Sequence, residues 1–148
     1  MKDKMGKRPP TDLEILEEIY KMYYSKFISF SREKPNRSSK IYVPIDIESI
    51  AKHFSVDLDI IFGRFYYHLE PKYGFAQADG TKVPFFALQV GSEKHAVHFP
   101  LLAAVIASLR EEKNKHLLST WISFAAIFIS IISLITSFLL QYSKAFFR

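Results

Sequence analysis

The sequence predicts an α+β fold: a small mixed domain followed by one long C-terminal transmembrane α-helix. Three observations predict it. From Trp121 to Leu140 run 20 residues without a charge, Gly or Pro, and 12 of them are Ile, Leu or Phe. At about −0.3 to −0.6 kcal/mol for each such residue, the run favours insertion by roughly −4 to −7 kcal/mol before its hydroxyls are subtracted. Twenty residues rising about 1.5 Å each cover the roughly 30 Å hydrocarbon layer. Upstream, apolar residues recur at three- and four-residue steps in two regions, and short β-branched or aromatic runs bounded by turn residues occupy the rest. A buried core helix is the alternative for the apolar run, but the remainder of a 148-residue chain is too small to surround one.

The elements follow in order. Residues 1–10 are basic and rich in turn formers, which predicts a disordered tail. Its charges and Pro9–Pro10 are unlike a cleaved signal peptide, so the membrane segment is expected to serve as both targeting signal and anchor. The folded domain is expected over residues 11–99. Thr11 and Glu14 make a capping-box pattern. Leu13, Leu16, Tyr20, Tyr23, Phe27 and Phe30 then repeat at helical spacing, predicting a first helix over residues 12–30 whose aromatic stripe packs into the core, with dimerisation as the alternative. Residues 31–40 form a polar connector. Its Arg32, Lys34, Arg37 and Lys40 are candidates for contact with lipid headgroups or nucleic acid, worth about 1 kcal/mol per cation close to an anionic membrane; a solvated loop is the plain alternative.

Residues 41–45, interrupted by Pro44, suit an edge strand. Asp46 and Asp57 are placed to cap two helices, ending at Phe54 and near Leu69. Residues 71–75 read as the exit from the second of these. Ala78, Asp79, Gly80 and Thr81 make a hairpin turn between strands 73–77 and 82–90. Residues 91–94 turn the chain into a third strand, 95–99, where the spacing of His95 and His98 sends the rings to opposite faces. The chain has no cysteine, and no carboxylate converges on these histidines, so neither a metal nor any other cofactor is expected. Pro100 suits the first turn of a last helix, and no Gly or Pro follows it. Residues 100–118 read as an amphipathic connecting helix: Leu101, Val105 and Leu109 face the domain, and Glu111 and Lys115 form a spaced ion pair. Residues 119–142 are the transmembrane helix, with Trp121 and Tyr142 as interfacial aromatics, and residues 143–148 are a short tail.

Ile50, Ala51, Phe54 and Val56, then Ile60, Ile61, Arg64, Phe65 and Leu69, have the apolar spacing of a helix-turn-helix, and Pro71 to Phe75 lead into a hairpin. This region, residues 41–90, resembles the winged-helix family, with Ser55 standing where that family usually has Gly. The resemblance implies recognition by the second motif helix, which in the family commonly enters the DNA major groove. Here that helix carries Asp57, Asp59 and Glu70 against Arg64, with Phe62, Tyr66 and Tyr67 beside them. Carboxylates at a helix start repel phosphate, and removing Lys144 and Arg148 from the net charge of +5 leaves only +3 upstream of the membrane segment. A cytosolic protein partner is therefore expected on Asp59, Phe62, Arg64, Tyr66 and Tyr67, with nucleic acid as the second reading.

Within the apolar run, Ser119, Ser123, Ala126, Ser130, Ser133 and Ser137 follow alternating steps of four and three. A small-residue seam of this kind lets helix backbones approach, so homo-oligomerisation is expected through Ser123, Ala126, Ser130, Ser133 and Ser137. The alternative is that each hydroxyl bonds back to its own helix. Of the 20 Lys and Arg residues only Lys144 and Arg148 follow the run, which favours a cytoplasmic N-terminus in an inner membrane. No phosphate loop or nucleophile elbow is present, so no enzyme is expected. Three classes remain: a membrane-perturbing effector of a bacterial toxin or antiviral defence system, a membrane-tethered transcription regulator, and a passive tethered adaptor. The first uses both the non-basic motif helix and the seam.

Overall fold

The computed structural model describes residues 8–146. The chain combines helices with two small sheets and ends in a long apolar helix. Its elements are α1 (Asp12–Ile28), β1 (Tyr42–Pro44), α2 (Ile47–Phe54), α3 (Leu58–Gly63), a π-helical segment (Arg64–Leu69), α4 (Glu70–Tyr73), β2 (Phe75–Ala76), β3 (Lys82–Val83), β4 (Phe86–Val90), β5 (Glu93–His98) and α5 (Phe99–Phe146). They form two compact units, Met1–Leu109 and Arg110–Arg148.

In the first unit, α1 starts at the expected capping box: the Glu14 amide donates to the Thr11 hydroxyl, and the Glu14 carboxylate accepts from the Thr11 amide at 2.7 Å. Ile15, Leu16 and Ile19 are buried, and Tyr20 and Phe27 stack on Phe99 at 5.3 and 4.8 Å. Of the tail expected to be disordered, residues 1–7 lie outside the described residues. In the remainder, Arg8 reaches Glu14 at 2.7 Å and Pro10 is buried.

Asp46 caps α2 by accepting from the Glu48 amide, and Asp57 caps α3 by accepting from the Asp59 amide. Between them Ser55 is left-handed, at φ 56 and ψ 40. Its amide and that of Val56 return to carbonyls of the last turn of α2, a Schellman-type closure that favours Gly. A left-handed serine costs roughly 1 kcal/mol. Ser55→Gly is therefore expected to raise stability by roughly 0.5–1 kcal/mol, read from the urea unfolding midpoint, because Ser55 is exposed and its loss removes no packing.

The main sheet is antiparallel in the order β1-β5-β4, with Tyr42 opposite His98 and Phe86 opposite Val97, so β1 lies at an edge as its proline requires. The strand expected over residues 82–90 is two strands. Pro84 interrupts it: the Pro84 carbonyl accepts from the Tyr42 hydroxyl, the Phe85 carbonyl accepts from the His98 amide, and the chain passes from the small β2–β3 hairpin into the main sheet. The hairpin turn falls where expected, with Gly80 at φ 83 and the Gln77 amide donating to Thr81. Val43, Phe85, Phe86, Ala96 and Val97 close the core with Phe99, Leu102, Val105 and Ile106 of α5.

The second unit is the remainder of α5. The stretch Phe99–Ser137 is long and apolar enough to cross a membrane. Trp121, Ile122, Phe124, Phe128 and Leu134 are all exposed. Of the tail expected at residues 143–148, Phe146 ends α5, and residues 147–148 lie outside the described residues.

Candidate functional site

The helix that follows Ser55 does not end near Leu69. It continues through the π-helical segment into α4 and stops at Tyr73, so Pro71 lies inside it and the expected exit at Pro71 is corrected. The proline is tolerated because it sits in the first turn of α4, just past the π turn. There the Glu70 amide donates to the Phe65 carbonyl, five residues back.

Four rows run along this helix at steps of four residues. Ile61, Phe65 and Leu69 are fully buried and Tyr73 packs on the same core. On one flank, Arg64 Nε donates to Asp12 Oδ1 at 2.7 Å, His68 Nε2 lies 2.9 Å from Asp12 Oδ2, and Lys72 Nζ lies 3.8 Å from the same oxygen. On the other flank Phe62 and Tyr66 stack at 5.8 Å, Phe62 meets the edge of His95, and the Glu70 carboxylate accepts the Phe86 amide at 2.7 Å. The outward row is Asp59, Gly63, Tyr67 and Pro71. Tyr67, 76% exposed, is its knob and meets Tyr66 edge-on at 5.0 Å.

Of the residues expected to meet a partner, Phe62, Tyr66 and Tyr67 are brought together, Asp59 shares the outward row, and Arg64 is turned to the flank. The Asp12 side chain is 13% exposed and stands in the first turn of α1, where a carboxylate also suits the helix dipole. Burial alone would raise its pKa, but the hydrogen bonds from Arg64 and His68 outweigh burial and hold it below the ordinary value. A depressed carboxylate pKa gives stability that is complete above the unfolded pKa, near 3.9, and is lost as pH falls through the folded value. Asp12→Asn is expected to remove roughly 1–2 kcal/mol at pH 7 and to flatten the acid limb of the stability profile. Unfolding curves from pH 2 to 7 measure both. Asp46 and Glu14 also have lowered pKa values, Asp46 through the Ser49 hydroxyl and Glu14 through the Thr11 amide; being exposed, they leave a residual slope.

His98 lies away from this face, edge-on to Tyr42 at 5.1 Å, and its Nδ1 accepts the Leu101 amide in the first turn of α5. Burial lowers its pKa, and the accepting nitrogen requires the neutral ring.

The cationic set of the connector is corrected at Arg37. Arg32, Lys34 and Lys40 are exposed, whereas Arg37 is 8% exposed and donates to the carbonyls of Lys26 (2.6 Å), Ser39 (2.8 Å), Phe27 and Lys40 (both 3.1 Å), with its guanidinium 4.9 Å from the Phe30 ring. It closes the C-terminus of α1 and presents nothing to a headgroup. Along α5, the Ser123 and Ser130 hydroxyls donate to the Ser119 and Ala126 carbonyls, as Thr120 and Thr136 do to carbonyls one turn back. Ser123, Ala126, Ser130, Ser133 and Ser137 remain exposed along the helix.

The cluster of Asp12, His68 and Lys72 and the π winding were not expected from sequence. The available signal was the strict four-residue repeat from Ile61 to Tyr73. No protein-family model, no curated protein and no solved structure matches this chain.

Proposed function

We propose that this chain is a single-pass membrane protein whose N-terminal unit is a cytosolic winged-helix domain that takes a protein partner on the outward face of helix α3–α4. Two capped helices joined by a tight turn and followed by a hairpin support the winged-helix reading. The observation that carries the partner reading is Tyr67, standing out of the helix beside the stacked pair Phe62–Tyr66, while Arg64, His68 and Lys72 share the Asp12 carboxylate instead of lining up for phosphates. Exposed aromatics beside cations partly offset by a shared carboxylate suit a protein surface better than a nucleic-acid backbone. The effector class fits this combination: a partner held on the cytosolic unit, and membrane helices that assemble through Ser123, Ala126, Ser130, Ser133 and Ser137. The small residues of that face let helix backbones approach closely, while the back-bonds of Ser123 and Ser130 are what the alternative of hydroxyls bonded within their own helix expects.

A photo-crosslinking side chain placed at position 67 of the full chain, in cells, tests the partner reading. One discrete protein adduct is expected, absent when the same group replaces Lys82 on the hairpin. A nuclease-sensitive adduct, with one DNA sequence enriched at nanomolar affinity, would make the tethered regulator the better reading.

A further inference from the structure

Helix α3–α4 holds one residue more than regular winding accommodates. On an α-helix each four-residue step drifts by roughly 40°, so Ile61, Phe65, Leu69 and Tyr73 would fan over roughly 120°, the width of a whole apolar stripe, instead of forming the single row that packs on the core here. The π turn at Arg64–Leu69 absorbs the surplus residue, and the same correction aligns Arg64, His68 and Lys72 on Asp12. Taking one residue out between Phe65 and Leu69 would leave apolar steps of four, three and four, the ordinary α-helical spacing. Three residues lie in that gap. Tyr66 stacks on Phe62 and His68 bonds to Asp12, whereas Tyr67 is the most exposed of the three and lies over the bare Gly63.

We propose that Tyr67 is an inserted residue: the helix is wound in π form to keep it, and the domain folds without it. Pro71 holds that form in place. Its ring would clash with the carbonyl four residues back in an all-α helix, and it has no amide to restore the α-type bond. π turns within α-helices occur frequently at functional sites, and this one turns Tyr67 outward. That Tyr67 is kept as a contact rests on the partner reading above; that it is surplus to the fold does not.

The test compares melting of the full chain in phosphatidylcholine–phosphatidylglycerol nanodiscs for three variants: Pro71→Ala, Pro71→Ala with Tyr67 deleted, and Glu48 deleted from the plain α-helix α2. The Tyr67 deletion is expected to melt within about 3 °C of Pro71→Ala or above it. The Glu48 deletion, which shifts Ile47 off the core, should lose more than about 10 °C. Equal losses in the two deletions would overturn the inserted-residue proposal. Failure of the partner reading would appear in the crosslinking at position 67 alone, with both melting results unchanged.

Discussion

Replacing Arg37 with methionine is expected to cost the N-terminal unit about 3 kcal/mol or more, a large share of the roughly 5–15 kcal/mol that keeps a domain folded. The methionine stem still covers Phe30, so the loss is polar. The carbonyls of Lys26 and Phe27 belong to the last turn of α1, where no helical amide can reach them; the Ser29 hydroxyl also donates to that of Lys26, and Arg37 serves both along with Ser39 and Lys40. A buried acceptor left without its donor loses about 1–3 kcal/mol, and some of the four will find water. Urea unfolding followed by near-ultraviolet circular dichroism measures the change, and a loss below about 1 kcal/mol would show that water replaces the guanidinium freely. Arg37→Lys is expected to recover less than half, since an ammonium lacks the planar fork that reaches four acceptors.

The second large effect is at Gly74, for a reason unrelated to backbone freedom. A Cβ there would lie 2.7 Å from Glu70 Oε1 and 2.8 Å from the Glu70 carbonyl oxygen. The carboxylate can swing, but only by releasing the Phe86 amide, and the carbonyl is main chain already accepting the Gly74 amide at 2.9 Å. Gly74→Ala is therefore expected to push the end of α4 from β4 and to cost about 2–3 kcal/mol. Adding Glu70→Ala to Gly74→Ala separates the two contacts. Stability no better than that of the single variant is expected, because the main-chain clash persists and the Phe86 amide loses its acceptor. Full recovery would place the whole penalty on the carboxylate.

Local chemistry made much of the fold readable in advance. The caps at Thr11, Asp46 and Asp57, the turn around Gly80 and the edge position forced by Pro44 each depend on neighbours within a few residues, and the structure has all of them. What escaped depends on partners distant in sequence. Arg37 reads as one more loop cation until α1 brings the last-turn carbonyls of Lys26 and Phe27 to it, and nothing within the connector distinguishes it from Lys34. Asp12 reads as an ordinary first-turn acid until Arg64 and His68 arrive from more than fifty positions away. Pro71 misled because proline usually ends a helix, and the winding that accommodates it becomes visible only when Ile61, Phe65, Leu69 and Tyr73 are taken together as a period of four instead of 3.6. At the candidate face, the aromatic residues were identifiable by type, while the diversion of Arg64 to Asp12 was not.

Phe99, Leu102, Val105 and Ile106 belong to the core of the N-terminal unit although they open the helix that carries the apolar run. This bears on biosynthesis. At roughly 5–20 residues per second, a ribosome adds Trp121 about 1–3 s after Ile106, so the unit receives its last core residues just as the apolar run is being made. Until then the helices and sheets upstream lack one wall of their core. Synthesis of the apolar run and completion of the fold are therefore nearly simultaneous, and a delay between them exposes an unfinished core rather than a finished domain.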